Sequence, residues 1–179
     1  MNFYWRQTIV GLLRHASDRV PALAQRCRSA ADQLDKTLTT PWLEEAFTIF
    51  QEAALHEHDP VYVTGAYYAM QALEEVTRWE ERAGGPVHVM ITREGGEYAL
   101  PGGPAVLPPQ TPPRKAGPRP KASDAGDEVS SEVERGILEL FDRIRRGATL
   151  EEALALFPHL GDEAEPRWEP ENDDTTESP

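Results

Sequence analysis

A single cysteine, Cys27, stands in 179 residues. With no second thiol the chain can build neither a disulfide framework nor a zinc knuckle, and a reducing cytoplasm is the expected compartment. No run approaches the roughly 18 apolar residues that a membrane span requires, so no membrane partner is expected. The first twenty residues carry no basic segment ahead of their apolar part, and arginines interrupt that part, which is unlike a secretory signal. The signatures G-x-S-x-G, P-loop and H-E-x-x-H are missing. Gly95-Gly96 and Gly102-Gly103 do not open helices after strands, so neither pair reads as a phosphate loop. Positive charge is also scarce: 18 Lys and Arg face 31 Asp and Glu, net −13. That balance argues against non-specific nucleic-acid binding by the whole molecule, which depends on neutralising phosphates.

Proline, by contrast, is plentiful and concentrated. Eight prolines fall between Pro101 and Pro120, in a stretch almost free of large apolar side chains. Such a stretch cannot bury enough surface to offset its ordering entropy, and proline biases each preceding residue toward extended backbone. Residues 101–126 therefore read as a semi-rigid Pro-rich linker. Charge follows the same division. Residues 1–100 carry net −5, residues 101–121 net +4, residues 122–161 net −5 and residues 162–179 net −7. The expected organisation is an N-terminal unit over 1–100, the linker, a short unit over 127–161 and a disordered acidic tail over 162–179.

The N-terminal unit opens on a long apolar series: Trp5, Ile9, Leu12, Ala16, Val20, Leu23, Cys27, Ala30, Leu34 and Leu38. Its steps alternate between three and four, the spacing of one helix face. Pro21 interrupts the series and removes a helix donor. Because the face continues through the break, a kinked helix or two helices sharing a face is expected. Arg6, Arg14, Arg19, Arg26, Arg28 and Lys36 lie mostly off the stripe, on a solvated face or a basic docking stripe.

A second helix starts at Thr40-Pro41, a cap followed by a first-turn proline, with Glu44 and Glu45 near the positive end of the dipole. Trp42, Leu43, Ala46, Phe47, Phe50, Ala53 and Ala54 supply its buried face. Asp59-Pro60 repeats the pattern for a third helix carrying Tyr62, Ala66, Ala69, Met70, Leu73 and Val76. Gly65 and the neighbouring alanines there allow a close helix approach. Gly84-Gly85-Pro86 stops that helix. Val87–Thr92 alternates and is β-branched, Gly95-Gly96 turns, and Glu97–Leu100 returns, which is a hairpin signal. One hairpin is marginal alone, so it must pack on the helices or pair edge to edge in a homodimer.

Beyond the linker, Ser131-x-x-Glu134 reads as a capping box opening Ile137, Leu138, Leu140, Phe141 and Ile144. Arg143, Arg145 and Arg146 suit the last turn of that helix, and Gly147 ends it. Thr149-x-x-Glu152 is a second box, opening Leu150, Ala153, Leu154, Leu156 and Phe157, with Pro158 as the stop. The two helices form a helical hairpin whose apolar surface is too small for a core of its own, so it docks on something.

Candidate chemistry is thin. On one helix His56 and His58 would point about 200° apart, so they cannot share a metal there. Cys27 sits on the apolar stripe as a small buried hydrophobe. Glu74-Glu75 and Glu80-Glu81 read as exposed helix charge, and a deep polar cleft near His88 and Tyr98 would be needed for an enzyme. The P-x-x-P elements beside Arg114, Lys115 and Arg119 suit a solubilising tether, with docking on an aromatic groove as the alternative. No cofactor and no metal are expected.

The residues Ile137–Phe141, Arg146–Leu154 and Phe157-Pro158-His159-Leu160 resemble a family of small prokaryotic antitoxin-like proteins of unassigned function. There a helix leads to G-x-[ST]-x-E-E-I-L-x-x-[FY]-P-x-L and a further helix completes a helix-turn-helix. The match covers about 25 residues. After it the chain reads Gly161-Asp162-Glu163-Ala164-Glu165-Pro166, and acids with a proline do not suit a DNA-reading helix. The resemblance thus implies a helical hairpin of that type, kept for protein contacts.

The expectation is a mainly α protein: a helical bundle with one β-hairpin, a Pro-rich linker, a C-terminal helical hairpin and a disordered acidic tail. The expected function is a non-enzymatic adaptor or regulatory module with a protein partner. The expected partner-binding face is Leu138, Phe141, Ile144, Leu154 and Phe157. The alternatives are an antitoxin-like or transcription-regulating DNA binder using Arg143, Arg145 and Arg146, and a polyanion mimic acting through the acidic tail.

Overall fold

A computed structural model describes residues 3–91, 97–102, 107–108 and 127–156. The turn at Gly95-Gly96, most of the Pro-rich segment, Phe157 and the acidic tail lie outside the described residues. Helices hold 77% of the interpretable residues, accompanied by one two-stranded antiparallel sheet. Among the described residues no helix is long and apolar enough to cross a membrane.

Helices α1 (Phe3–Arg19) and α2 (Ala24–Leu34) are joined by a 3-10 turn at Pro21–Leu23. Eight of the ten residues of the apolar series are buried, with Ile9, Ala16, Cys27, Ala30, Leu34 and Leu38 at 0% exposure, while Trp5 and Leu12 are half-buried. The chain reverses at the break, however, rather than continuing as a kinked rod. Val20 leaves helical geometry at φ −117°, ψ 87°, and Asp35, just past α2, meets Arg6 and Arg14 of α1. The stripe thus lines the inside of an antiparallel helix pair.

Helix α3 (Thr40–Glu57) has Thr39 as its N-cap, one residue before the expected Thr40. Thr40 is already helical, and its hydroxyl donates to Glu80 Oε2 at 3.0 Å. Glu45 is not a first-turn acid but an ion-pair partner, with its Oε1 2.7 Å from Arg26 Nε. Helix α4 (Val61–Ala83) opens with Asp59 Oδ1 accepting from the Val61 N–H at 2.9 Å, and ends on Gly84 in the left-handed region at φ 72°. Because α4 packs against α3, α1 and the sheet, Val63, Gly65 and Ala72 are buried alongside the expected Tyr62, Ala66, Ala69 and Val76. Only Met70 and Leu73 of the expected set are half-buried.

Strands β1 (Val87–Ile91) and β2 (Glu97–Pro101) pair antiparallel, with Val89 opposite Ala99. The other edge of β1 is used too: Leu38 and Val89 exchange both backbone hydrogen bonds, at 2.9 and 3.0 Å. This ties the sheet to the segment between α2 and α3 and buries Val87 and Val89. Gly102 N–H donates to the Pro86 carbonyl at 2.7 Å, so the ladder's bonded pairs fall at even-numbered residues of both strands. Pro101 is in the opposite phase, where its missing donor would face away from β1, as a proline in an edge strand requires.

Helices α5 (Asp127–Arg145) and α6 (Leu150–Ala155) complete the chain order. Ser131 lies inside α5 and not at its cap, because the helix begins a turn earlier. The expected box at Thr149 is present in full: Glu152 N–H donates to Thr149 Oγ1 at 3.3 Å, and Thr149 N–H donates to Glu152 Oε2 at 3.0 Å.

Candidate functional site

The hairpin α5–α6 is built from its helix stripe outward. Ile137, Leu140, Phe141 and Ile144 recur at steps of three and one, which places them on one side of α5, and all four are at most 3% exposed. They join the core formed by α1 to α4, and α5 contacts both α3 and α4. The Phe141 ring meets the Phe47 ring edge-on, with centroids 5.6 Å apart and planes at 70°. One turn later the Arg145 guanidinium lies 4.5 Å from the same Phe47 ring centroid. An edge-on ring contact and a cation over a ring face each add to simple area burial. Phe47 is therefore the seat of α5, engaged by a ring and by a cation.

Gly147, at φ 95°, turns the chain between the two helices, and its N–H and that of Ala148 bond back to the carbonyls of Ile144 and Arg143. On α6, Ala153 is fully buried while Leu154 is 39% and Leu156 47% exposed. An open cleft of about 570 Å³ lies in the crook, with Ala148 and Leu156 as apolar lining and Arg143, Arg146 and Glu152 as polar lining. The Thr149 backbone and hydroxyl bonds hold the Glu152 carboxyl below its ordinary range.

The five expected contact residues thus separate. Phe141 and Ile144 are buried in the core and are not part of an open face. The correction has a simple cause: the stripe that needs cover finds it on α3 and α4 of the same chain. Leu138, on the other side of α5, is 45% exposed, and Leu154 is exposed with it. Phe157 lies outside the described residues. Helix α6 is only six residues long and buries little beyond Ala153. Phe47 was legible as a buried side chain, but nothing in the spacing tied it to Phe141 and Arg145.

Arg143, Arg145 and Arg146 are engaged within the chain. Arg143 bonds Glu139 at 2.9 Å, Arg146 pairs with Asp142, and Arg145 covers Phe47. On the N-terminal stripe Arg26 is held by Glu45 and by both oxygens of Glu52 at 2.9 Å. Burial lowers the Arg26 pKa, but these carboxylates more than offset that, so it is raised overall. Arg14 pairs with Asp35, and Arg19 with Glu57.

The Cys27 side chain is wholly buried, and that burial pushes its thiol up to about 11. It is protonated at neutral pH and poorly suited to attack. His58 takes the left-handed position that ends α3, at φ 51°. Among the described residues no group of three or more His, Cys, Asp and Glu could hold a metal ion. Comparison of the chain with protein-family models, curated proteins and solved structures gave no match.

Proposed function

We propose that the chain works by binding, as an adaptor or regulatory module whose C-terminal helical hairpin contacts a protein partner. One observation supports this reading above the rest. Six large apolar side chains are strongly exposed among the described residues, and three of them lie on the hairpin: Leu138 on α5, Leu154 on α6 and Leu156 just past its end. Apolar surface concentrated on one small element marks interaction sites more often than singly scattered residues do. The inner side of the hairpin is fixed on the bundle through Ile137, Leu140, Phe141 and Ile144, so the outward leucines are held in place before a partner arrives. That arrangement reduces the ordering cost of association. The contact set is therefore Leu138, Leu154 and Leu156 on the outside, with Phe141 and Ile144 supporting them from within.

The test is the full chain carrying Leu138→Glu and Leu154→Glu together. Both positions face solvent, so the melting temperature should move by no more than about 2 °C, since surface changes lie within about 0.5 kcal/mol. Recovery of the partner that cross-links to the wild-type chain should fall at least tenfold. Equal recovery of that partner by the doubly substituted chain overturns the reading.

A further inference from the structure

We propose that the Phe47 seat between α3 and α4 accepts α5 from a second copy of this chain, so that two molecules exchange their C-terminal hairpins. The inference goes beyond the outward contact face and names a partner for the hairpin's inner side.

The length of chain between the sheet and α5 permits the exchange. Residues 103–126, about 24 of them, separate Gly102 from Asp127. Covalent geometry lets that many residues span up to about 80 Å, and a folded body of about 130 residues is roughly 35–40 Å across. The connection therefore reaches a seat on a neighbouring molecule as well as its own.

The chemistry of the seat selects the occupant. Phe47 takes an aromatic edge from Phe141 and a cation from Arg145 one turn later. Of the chain's five phenylalanines, only Phe141 is followed by a basic residue at the fourth position. A second copy supplies that ring, that cation and the flanking Ile137, Leu140 and Ile144 without any change in contacts. Exchange of an identical element is the low-cost route to a dimer. Docking within one chain has the advantage of an effective concentration set by the length of the connection, on the order of millimolar. Exchange consequently shows itself near that concentration, or when a molecule's own α5 is weakened.

The experiment uses the full chain with Phe141→Ala and a labelled synthetic peptide of residues 127–146. The substituted chain keeps α1 to α4 and an intact seat. It should remain folded by circular dichroism and bind the peptide saturably. The wild-type chain, whose own α5 competes, should bind at least tenfold more weakly, and a peptide bearing Phe141→Ala should bind neither. Sedimentation of the wild-type chain should show dimer as the concentration approaches about 1 mM. Global unfolding of the Phe141→Ala chain overturns the proposal, because α5 would then be an obligatory part of the core. Absence of peptide binding, or a wild-type chain that stays monomeric near 1 mM, overturns it too. The Leu138→Glu and Leu154→Glu chain separates this proposal from the outward contact face: it should exchange normally even where partner recovery is lost.

Discussion

At Gly65 the distance between two helices is set by a single missing atom. A Cβ there would stand 2.8–2.9 Å from three atoms of the Phe50 ring, well inside van der Waals contact. Alanine favours helix over glycine by up to about 1 kcal/mol, but displacing a packed ring costs about 1–3 kcal/mol. Gly65→Ala should therefore lower the stability measured by urea unfolding, and a gain would show that Phe50 yields freely. Cys27 gives a prediction in pH. Burial raises its pKa from the ordinary 9.0 to about 11 in the folded chain. The folded state then holds its proton more tightly than the unfolded chain does. The stability linked to it is complete below pH 9 and is lost as pH rises from 9 toward 11. Tyr62, raised by burial and then by the charges of Asp59 and Glu57, acts in the same sense. Unfolding curves between pH 8 and 11 should show falling stability, and Cys27→Ala should make the fall shallower. A thiol reagent should leave the native protein unmodified at pH 7 and react once urea unfolds it; rapid native labelling would contradict the burial.

Between elements, Arg26 is the clearest polar tie. It leaves α2 and binds carboxylates one and three turns along α3, with its side chain 18% exposed. Removing the cation leaves two acids facing each other, which costs more than the bonds themselves contribute. Arg26→Ala should destabilise by about 2–3 kcal/mol. Adding Glu45→Gln and Glu52→Gln should recover most of that loss; no recovery would mean the guanidinium acts through its packed stem instead. This tie shows what the sequence made legible and what it did not. Periodicity identified the faces: the series from Ile9 to Leu38 is buried but for the half-buried Leu12, and Ile137, Leu140, Phe141 and Ile144 do need cover. Local caps were legible where the side chains close them, at Asp59 and Thr149. A face, however, carries no address. The same three-and-four spacing suits a kinked rod and an antiparallel pair, and it is the extended Val20 and the meeting of Arg6 and Arg14 with Asp35 that distinguish them. Likewise the stripe of α5 says that it must be covered, and Phe47, ninety-four positions earlier, is what covers it.

For the whole molecule the question is whether the core unfolds as one unit. The side chains of α5 belong to the same buried cluster as Ile9, Phe50 and Tyr62, yet α5 reaches it through one stripe, while α4 is covered from α1, α3 and the sheet. Elements with fewer buried contacts open at lower free energy than the centre of a core. Amide exchange should therefore report two levels. The amides of Ile137 to Ile144 should exchange through a local opening, and those of Ala66 to Val76 only through global unfolding. Phe141→Ala removes a buried ring, a change worth about 3–5 kcal/mol where the site cannot collapse. It should accelerate exchange throughout α5 and leave the slowest α4 amides within a few-fold of wild type. Equal acceleration of both sets would mean that α5 and the bundle share one transition. In that case the hairpin would be a fixed wall of the core and not a piece that docks.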